Sequence, residues 1–155
     1  MLSIILIACL LVALTVWLHA AGIAVLVRLW VRPPAQPPTA LFAIIRTLLR
    51  IIFWLFLLHL AEISLWALFY LWRGCLPNAE AAFYFSGTTY TTVGYGDIVL
   101  AKPWRLLAPL EGLAGVLMCS LSMGYFFVVV NRIQQCLSGR VPDASAPGTS
   151  ARDEK

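Results

Sequence analysis

The sequence predicts an all-α membrane protein: three transmembrane helices, with a short re-entrant helix between the second and third that turns back at a polar loop. Three observations predict it. Hydrophobic residues make up 61% of the 155 and charged residues 12%, whereas a soluble domain is about half apolar and about a quarter charged. Three apolar runs each exceed the roughly 20 residues that cross a bilayer. Finally, Thr91-Thr92-Val93-Gly94-Tyr95-Gly96-Asp97 interrupts this background with hydroxyls, two glycines and a carboxylate. Irregular backbone survives at membrane depth only where protein or water covers it, so the rest of the chain is expected to frame this loop.

The first run, residues 1–30, has no charge before Arg28. It lacks the basic start, short apolar centre and small-residue cleavage site of a removable signal. Residues 1–31 therefore read as a retained transmembrane helix. Pro33, Pro34, Pro37 and Pro38 stop any helix and favour a stiff, extended linker. Thr39 is placed to cap the next helix.

The helical pattern over 40–72 would measure about 50 Å, against about 30 Å of hydrocarbon. Arg46 and Arg50 lie four apart on one face, and the expected division falls there. Residues 41–50 become an amphipathic segment at the membrane surface, grouped with the linker as 32–50, and 51–72 become the second span. Two arginines are too few for a voltage-sensing helix. Gly74 and Pro77 end the span, and Asn78 followed by Glu80 signals a new helix start. A helix over 79–91 covers only about 20 Å, so it must dip into the bilayer and return. Residues 104–130 form the third span, closed by Asn131 and Arg132. The tail, 135–155, is rich in small polar residues, proline and charge, and is expected to be disordered.

The net charge of +4 does not point to nucleic acid, because the basic residues sit at the ends of apolar runs and are not interleaved with aromatics. Arg28, Arg32, Arg46 and Arg50 flank the linker, and Arg132, Arg140, Arg152 and Lys155 follow the last span. Only Arg73, Lys102 and Arg105 border the loop. The positive-inside rule then places linker and tail in the cytoplasm, and the loop and N-terminus outside. Cys9, Cys75, Cys119 and Cys136 have neither metal nor redox spacing. They are expected to be small apolar packers, with one loop thiol. No nucleophile arrangement, metal-ligand spacing or phosphate loop occurs, so neither an enzyme nor a cofactor is expected.

The loop has a chemistry of its own. Cations in water are held by oxygen, and a path that dehydrates them must supply oxygens instead. Gly94 and Gly96 can take backbone conformations closed to other residues, letting successive carbonyls face one axis, and Thr92 adds a hydroxyl. The preceding helix aims its negative C-terminal end at the same place.

Thr92-Val93-Gly94-Tyr95-Gly96-Asp97, between two spans and after a short helix, resembles the pore domain of potassium channels, most closely prokaryotic channels with two pore-forming spans per subunit. In that family four such loops supply rings of selecting carbonyls, the standard example of potassium selectivity. The resemblance covers residues 51–134, leaving the first span and the linker outside it. It implies that Thr92, Val93, Gly94 and Tyr95 hold K+, with Gly96 at the outer end. It also implies that Asp97 stands behind the outer mouth, tied to the short helix. Several relatives partner this aspartate with an acid, where this chain has Thr88. Tyr84 and Phe85 occupy places where relatives carry an aromatic cuff.

Gly115 lies near the position of the family's hinge glycine, with Gly112 as a competitor; close helix packing explains either equally well. Val116, Cys119, Met123 and Phe127 share one face, which would line a cavity with Phe127 at its inner constriction. An ordinary packing stripe would give the same spacing.

One loop per chain makes a quarter of a ring, so the resemblance implies a homotetramer of cyclic symmetry in a prokaryotic plasma membrane. Its partners are three further copies and lipid, and its only bound species is potassium ions. Two alternatives are a potassium transporter subunit, which usually carries four degenerate loops in one chain, and a non-conducting accessory protein, which needs no intact loop.

Three polar residues within the first two spans need partners: His19, His59 and Glu62. His19 and Glu62 both lie about 17 Å from the cytoplasmic ends of their helices, and His59 is on the face of Glu62. Glu62 is expected to pair with a histidine and so fix the first span against the rest. Glu111 is expected behind the loop, either hydrogen-bonded to the short helix or partly solvated.

Overall fold

A computed structural model describes residues 2–30 and 41–138. The proline-rich linker, the Thr39 cap and the tail beyond Ser138 lie outside them. Apolar runs become long helices: α1 (Leu2–Trp30), α2 (Leu41–Trp72) and, after a 3-10 turn at Trp104–Leu106, α4 (Leu107–Leu137), whose Pro109 falls in the first turn, where a missing N–H breaks no intrahelical bond. All three are long and apolar enough to cross a membrane. The short α3 (Ala79–Tyr90) stands between α2 and α4. Asn78 is extended, and its side chain accepts the Ala81 N–H at 2.8 Å, with Glu80 in the first turn. This is the start expected from the sequence.

Two boundaries differ from expectation. The division at Arg50 is absent, and α2 runs unbroken through it. Residues 41–50 hold neither proline nor glycine, so the arginines change the composition of the helix without interrupting its backbone. At the other end, α4 continues to Leu137 and is capped at Ser138, so the first residues of the expected disordered tail are helical.

α1 packs antiparallel to α2, and both contact α4; α3 is held between α2 and α4. At the loop end, Ala8 and Leu11 of α1 meet Trp66, Ala67 and Tyr70 of α2, with Phe85 and Leu107 beside them. At the opposite end, Leu26, Ile51 and Leu55 pack with Tyr125 and Phe126. Polar groups are paired where the helices touch. Thr15 accepts the Trp66 indole N–H at 3.0 Å and donates to its own helix at Leu11. The Trp54 indole donates to the Gly22 carbonyl at 3.2 Å. Near the loop end, the Arg73 guanidinium lies over Trp104, 4.8 Å from the ring centre, and beside Trp72. Such a cation–aromatic group suits a membrane–water boundary. The cysteines depart from the packing role, because Cys9 and Cys119 are exposed on their helices.

Candidate functional site

The last turn of α3 builds the loop. Its carbonyls have no further helix to bond and take the N–H groups that come next in the chain: Thr91 on Gly87 at 3.1 Å, Thr92 on Thr89 at 3.0 Å, and Gly94 on Thr88 at 3.0 Å. The loop's N–H groups thus point back into the helix. Thr92, Gly94 and Gly96 have φ of 62°, 48° and 79°. A left-handed φ thus recurs at every second residue of the loop, which glycine adopts freely. Thr92 pays for this, since a β-branched residue is strained there. Among the described residues, no carbonyl from Thr92 to Gly96 accepts a hydrogen bond. Residues 91–97 are exposed on this face, Tyr95 by 72%.

Asp97 has as its partner Tyr84, which the sequence placed in an aromatic cuff without pairing it to the aspartate. The Tyr84 hydroxyl donates to Asp97 Oδ2 at 2.8 Å, and this bond raises the phenol above its ordinary range. Thr88 instead turns its hydroxyl back to the Phe85 carbonyl. Tyr84 lies one turn before Thr88 on the same face of α3, which spacing alone shows, and it has the longer reach. Phe85 is buried edge-on against Tyr70, 5.4 Å between ring centres, and joins α3 to α2.

α4 lies directly on the end of α3. A Cβ at Gly115 would sit 2.0 Å from the Tyr90 carbonyl oxygen, and one at Gly112 would sit 3.3 Å from that of Thr89. Both glycines therefore occupy close-packing positions. The face carrying Val116, Cys119, Met123 and Phe127 is uncovered, whereas Ala114, Gly115, Met118 and Ser122 make the buried one. The stripe is thus no internal packing seam. A groove of about 490 Å³ separates the loop from the start of α4, bordered by Thr92, Gly96, Leu113 and Val116.

The loop thus presents unbonded carbonyl oxygens beside two long apolar helices. Residues 56–132 match the family model for ion channels. The match runs from within α2 to near the end of α4, about half of the chain, and leaves α1 outside. No curated protein and no solved structure matched the chain.

Behind the loop lie two buried polar networks. In the first, Glu111 is fully buried and meets Tyr70, whose hydroxyl donates to Oε2 at 2.7 Å, and Ser86 of α3. The Ser86 hydroxyl also donates to the Ile63 carbonyl at 2.8 Å. Having one proton, it satisfies both contacts when Glu111 is the donor to its oxygen. The expected bond between Glu111 and the short helix is present. The alternative of a partly solvated acid is not.

The second network joins all four helices. Glu62 is fully buried, with His19 Nδ1 2.8 Å from Oε1 and His59 Nδ1 3.3 Å from Oε2. The carboxylate thus contacts both histidines. Tyr90 of α3 donates to Oε2 and lies 2.9 Å from His59 Nδ1, while His59 Nε2 is 3.1 Å from the Ser122 hydroxyl of α4. Helix spacing and depth indicated the three ionisable residues, but Tyr90 and Ser122 arrive by tertiary contact alone. The sequence shows no metal-ligand spacing, yet the fold brings His19, His59 and Glu62 within 4.8 Å of one another.

Proposed function

We propose that the chain is a potassium-selective channel subunit that works as a homotetramer and passes K+ passively down its gradient. The observation that carries this is the set of unbonded carbonyls from Thr92 to Gly96, with left-handed backbone at every second residue. Carbonyls of Thr92, Val93, Gly94 and Tyr95 from four copies replace the hydration shell of the ion. Gly96 closes the outer end, and Tyr84 with Asp97 braces it. The negative end of α3 adds a favourable field for a cation.

Tetramer formation follows from the same exposure. A loop of irregular backbone cannot face lipid, and in the single chain one side of it is open. Symmetric copies would bury that side around an axis. The uncovered stripe of α4, Val116 to Phe127, then lines the path below the loop. The excess of positive residues at the linker and tail supports a cytoplasmic C-terminus and an outward-facing loop.

Planar-bilayer recording of the purified protein tests the proposal. The expected result is a current whose reversal potential follows the K+ gradient, excludes Na+ and is blocked by barium. No current, or one that treats K+ and Na+ alike, would overturn it.

A further inference from the structure

Glu62 sits in mid-membrane without a permanent cation. The groups facing it are His19 from α1, His59 from its own helix and the Tyr90 phenol from α3. From α4 come the Ser122 hydroxyl, through His59, and the Cys119 thiol, within electrostatic reach of Glu62; Glu111 lies further off, within reach of Tyr90. No lysine or arginine is among them. With both imidazoles neutral, the cluster holds one negative charge where charge is most costly. One added proton cancels it.

The two histidines are not equivalent seats for that proton. His19 is 2% exposed, and its Nε2 has no partner, so a proton there would create a buried, unsatisfied N–H. Both nitrogens of His59 face acceptors: Glu62 and Tyr90 at Nδ1, and the Ser122 hydroxyl at Nε2. A neutral His59 accepts from Ser122 at Nε2. A protonated one donates there, and only the hydroxyl hydrogen has to turn. His59 also keeps 19% exposure, against none for Glu62, so it is the less enclosed of the two.

We infer that His59, with Glu62 as counter-ion and His19 as a neutral support, is a proton-binding site that governs the loop through Tyr90. Tyr90 ends α3, its carbonyl touches Gly115, and the carbonyls just before it anchor Thr91, Thr92 and Gly94. With the proton bound, the His59–Glu62 pair is charge-assisted and clamps α2, α3 and α4 together. Without it, the unbalanced carboxylate loosens the last turn of α3. This regulation rests on the channel reading, but the binding of the proton does not.

The chain contains two histidines, so imidazole labelling reports on this cluster alone. The experiment is ¹⁵N-histidine NMR of the full-length protein in lipid bilayers, titrated across the imidazole range of about pH 5 to 8, beside recordings of K+ current. His59→Gln and His19→Gln assign the signals. His59 is expected to become imidazolium on acidification while His19 stays a neutral Nδ1–H tautomer. Glu62→Gln is expected to weaken proton binding at His59 and displace the step, because a carboxylate favours the charged imidazole. Current in the wild type should fall as pH rises through the same step. Tyr90→Phe should keep the NMR step and lose the pH dependence of the current.

Titration of His19, or of neither histidine, in the wild type overturns the assignment even if the variants fail to fold. A His59 step that ignores Glu62→Gln removes the counter-ion role. A K+ current indifferent to the His59 step overturns the coupling. Replacement of the proton step by stoichiometric Zn2+ binding at neutral pH overturns the proposal in favour of a metal site. Absence of any K+ current with the His59 step intact overturns the channel reading and leaves the proton site standing.

Discussion

At Asp97 the carboxylate is held by a phenol from α3, and Thr88 is turned away. The bond asks the phenol to keep its proton. Its raised titration, caused first by the hydrogen bond to Asp97, keeps the neutral donor present through neutral pH and loses it only on strong alkalinisation. Tyr84→Phe removes the donor and little else, because the ring is exposed. The expected outcome is an unchanged fold with several-fold shorter openings in single-channel records, and Tyr84→Trp, which restores an N–H donor, should recover most of the loss. Equal open times in the Phe variant would show that the bond does not brace the loop. Spacing placed the aromatic residue on the correct face, but the choice between Tyr84 and Thr88 as partner depended on side-chain reach across a loop.

Among the elements, α3 and α4 share the contact on which the loop depends. A methyl at Gly115 would overlap the Tyr90 backbone, which cannot swing aside as a side chain can, whereas at Gly124 the same methyl meets nothing within 4 Å among the described residues beyond its own helix turn. Gly115→Ala is expected to destabilise the protein by about 3 kcal/mol or more, at or beyond the upper end of ordinary overpacking. In the same detergent, Gly124→Ala should stay close to wild type. Thermal unfolding of both variants reads the contrast, and two equal melting temperatures would contradict the close contact.

Helices were the legible part of this molecule, since apolar length, proline and the Asn78 cap locate them from local chemistry. The unbroken α2 was not foreseen because Arg46 and Arg50 change the polarity of the helix surface, and a helix does not stop for that reason. The buried networks were half legible. Glu62, His59 and His19 announce themselves as costly groups in apolar runs, but the hydroxyls of Tyr90, Ser122 and Ser86 are unremarkable in sequence and meet their partners only when four helices pack.

For the whole molecule, the question is what covers the surfaces that one chain leaves open. The loop and the Val116–Phe127 stripe of α4 are both uncovered. Lipid can cover the stripe but not the loop, and the proposed tetramer would cover both by placing them on one shared water-filled axis. Cys119 distinguishes the two environments. It is exposed on the stripe, and a thiol reacts with charged reagents only where water lets it ionise. A cationic thiosulfonate applied from the tail side to a Cys9, Cys75 and Cys136 serine background should therefore reduce the K+ current within minutes, faster when the channel is open, by placing a fixed positive charge below the loop. Adding Cys119→Ser should abolish the effect. If Cys119 faced lipid, the reagent would leave the current untouched while the channel still conducted. That result would move the stripe to the outer surface of the assembly and require a different element to line the path.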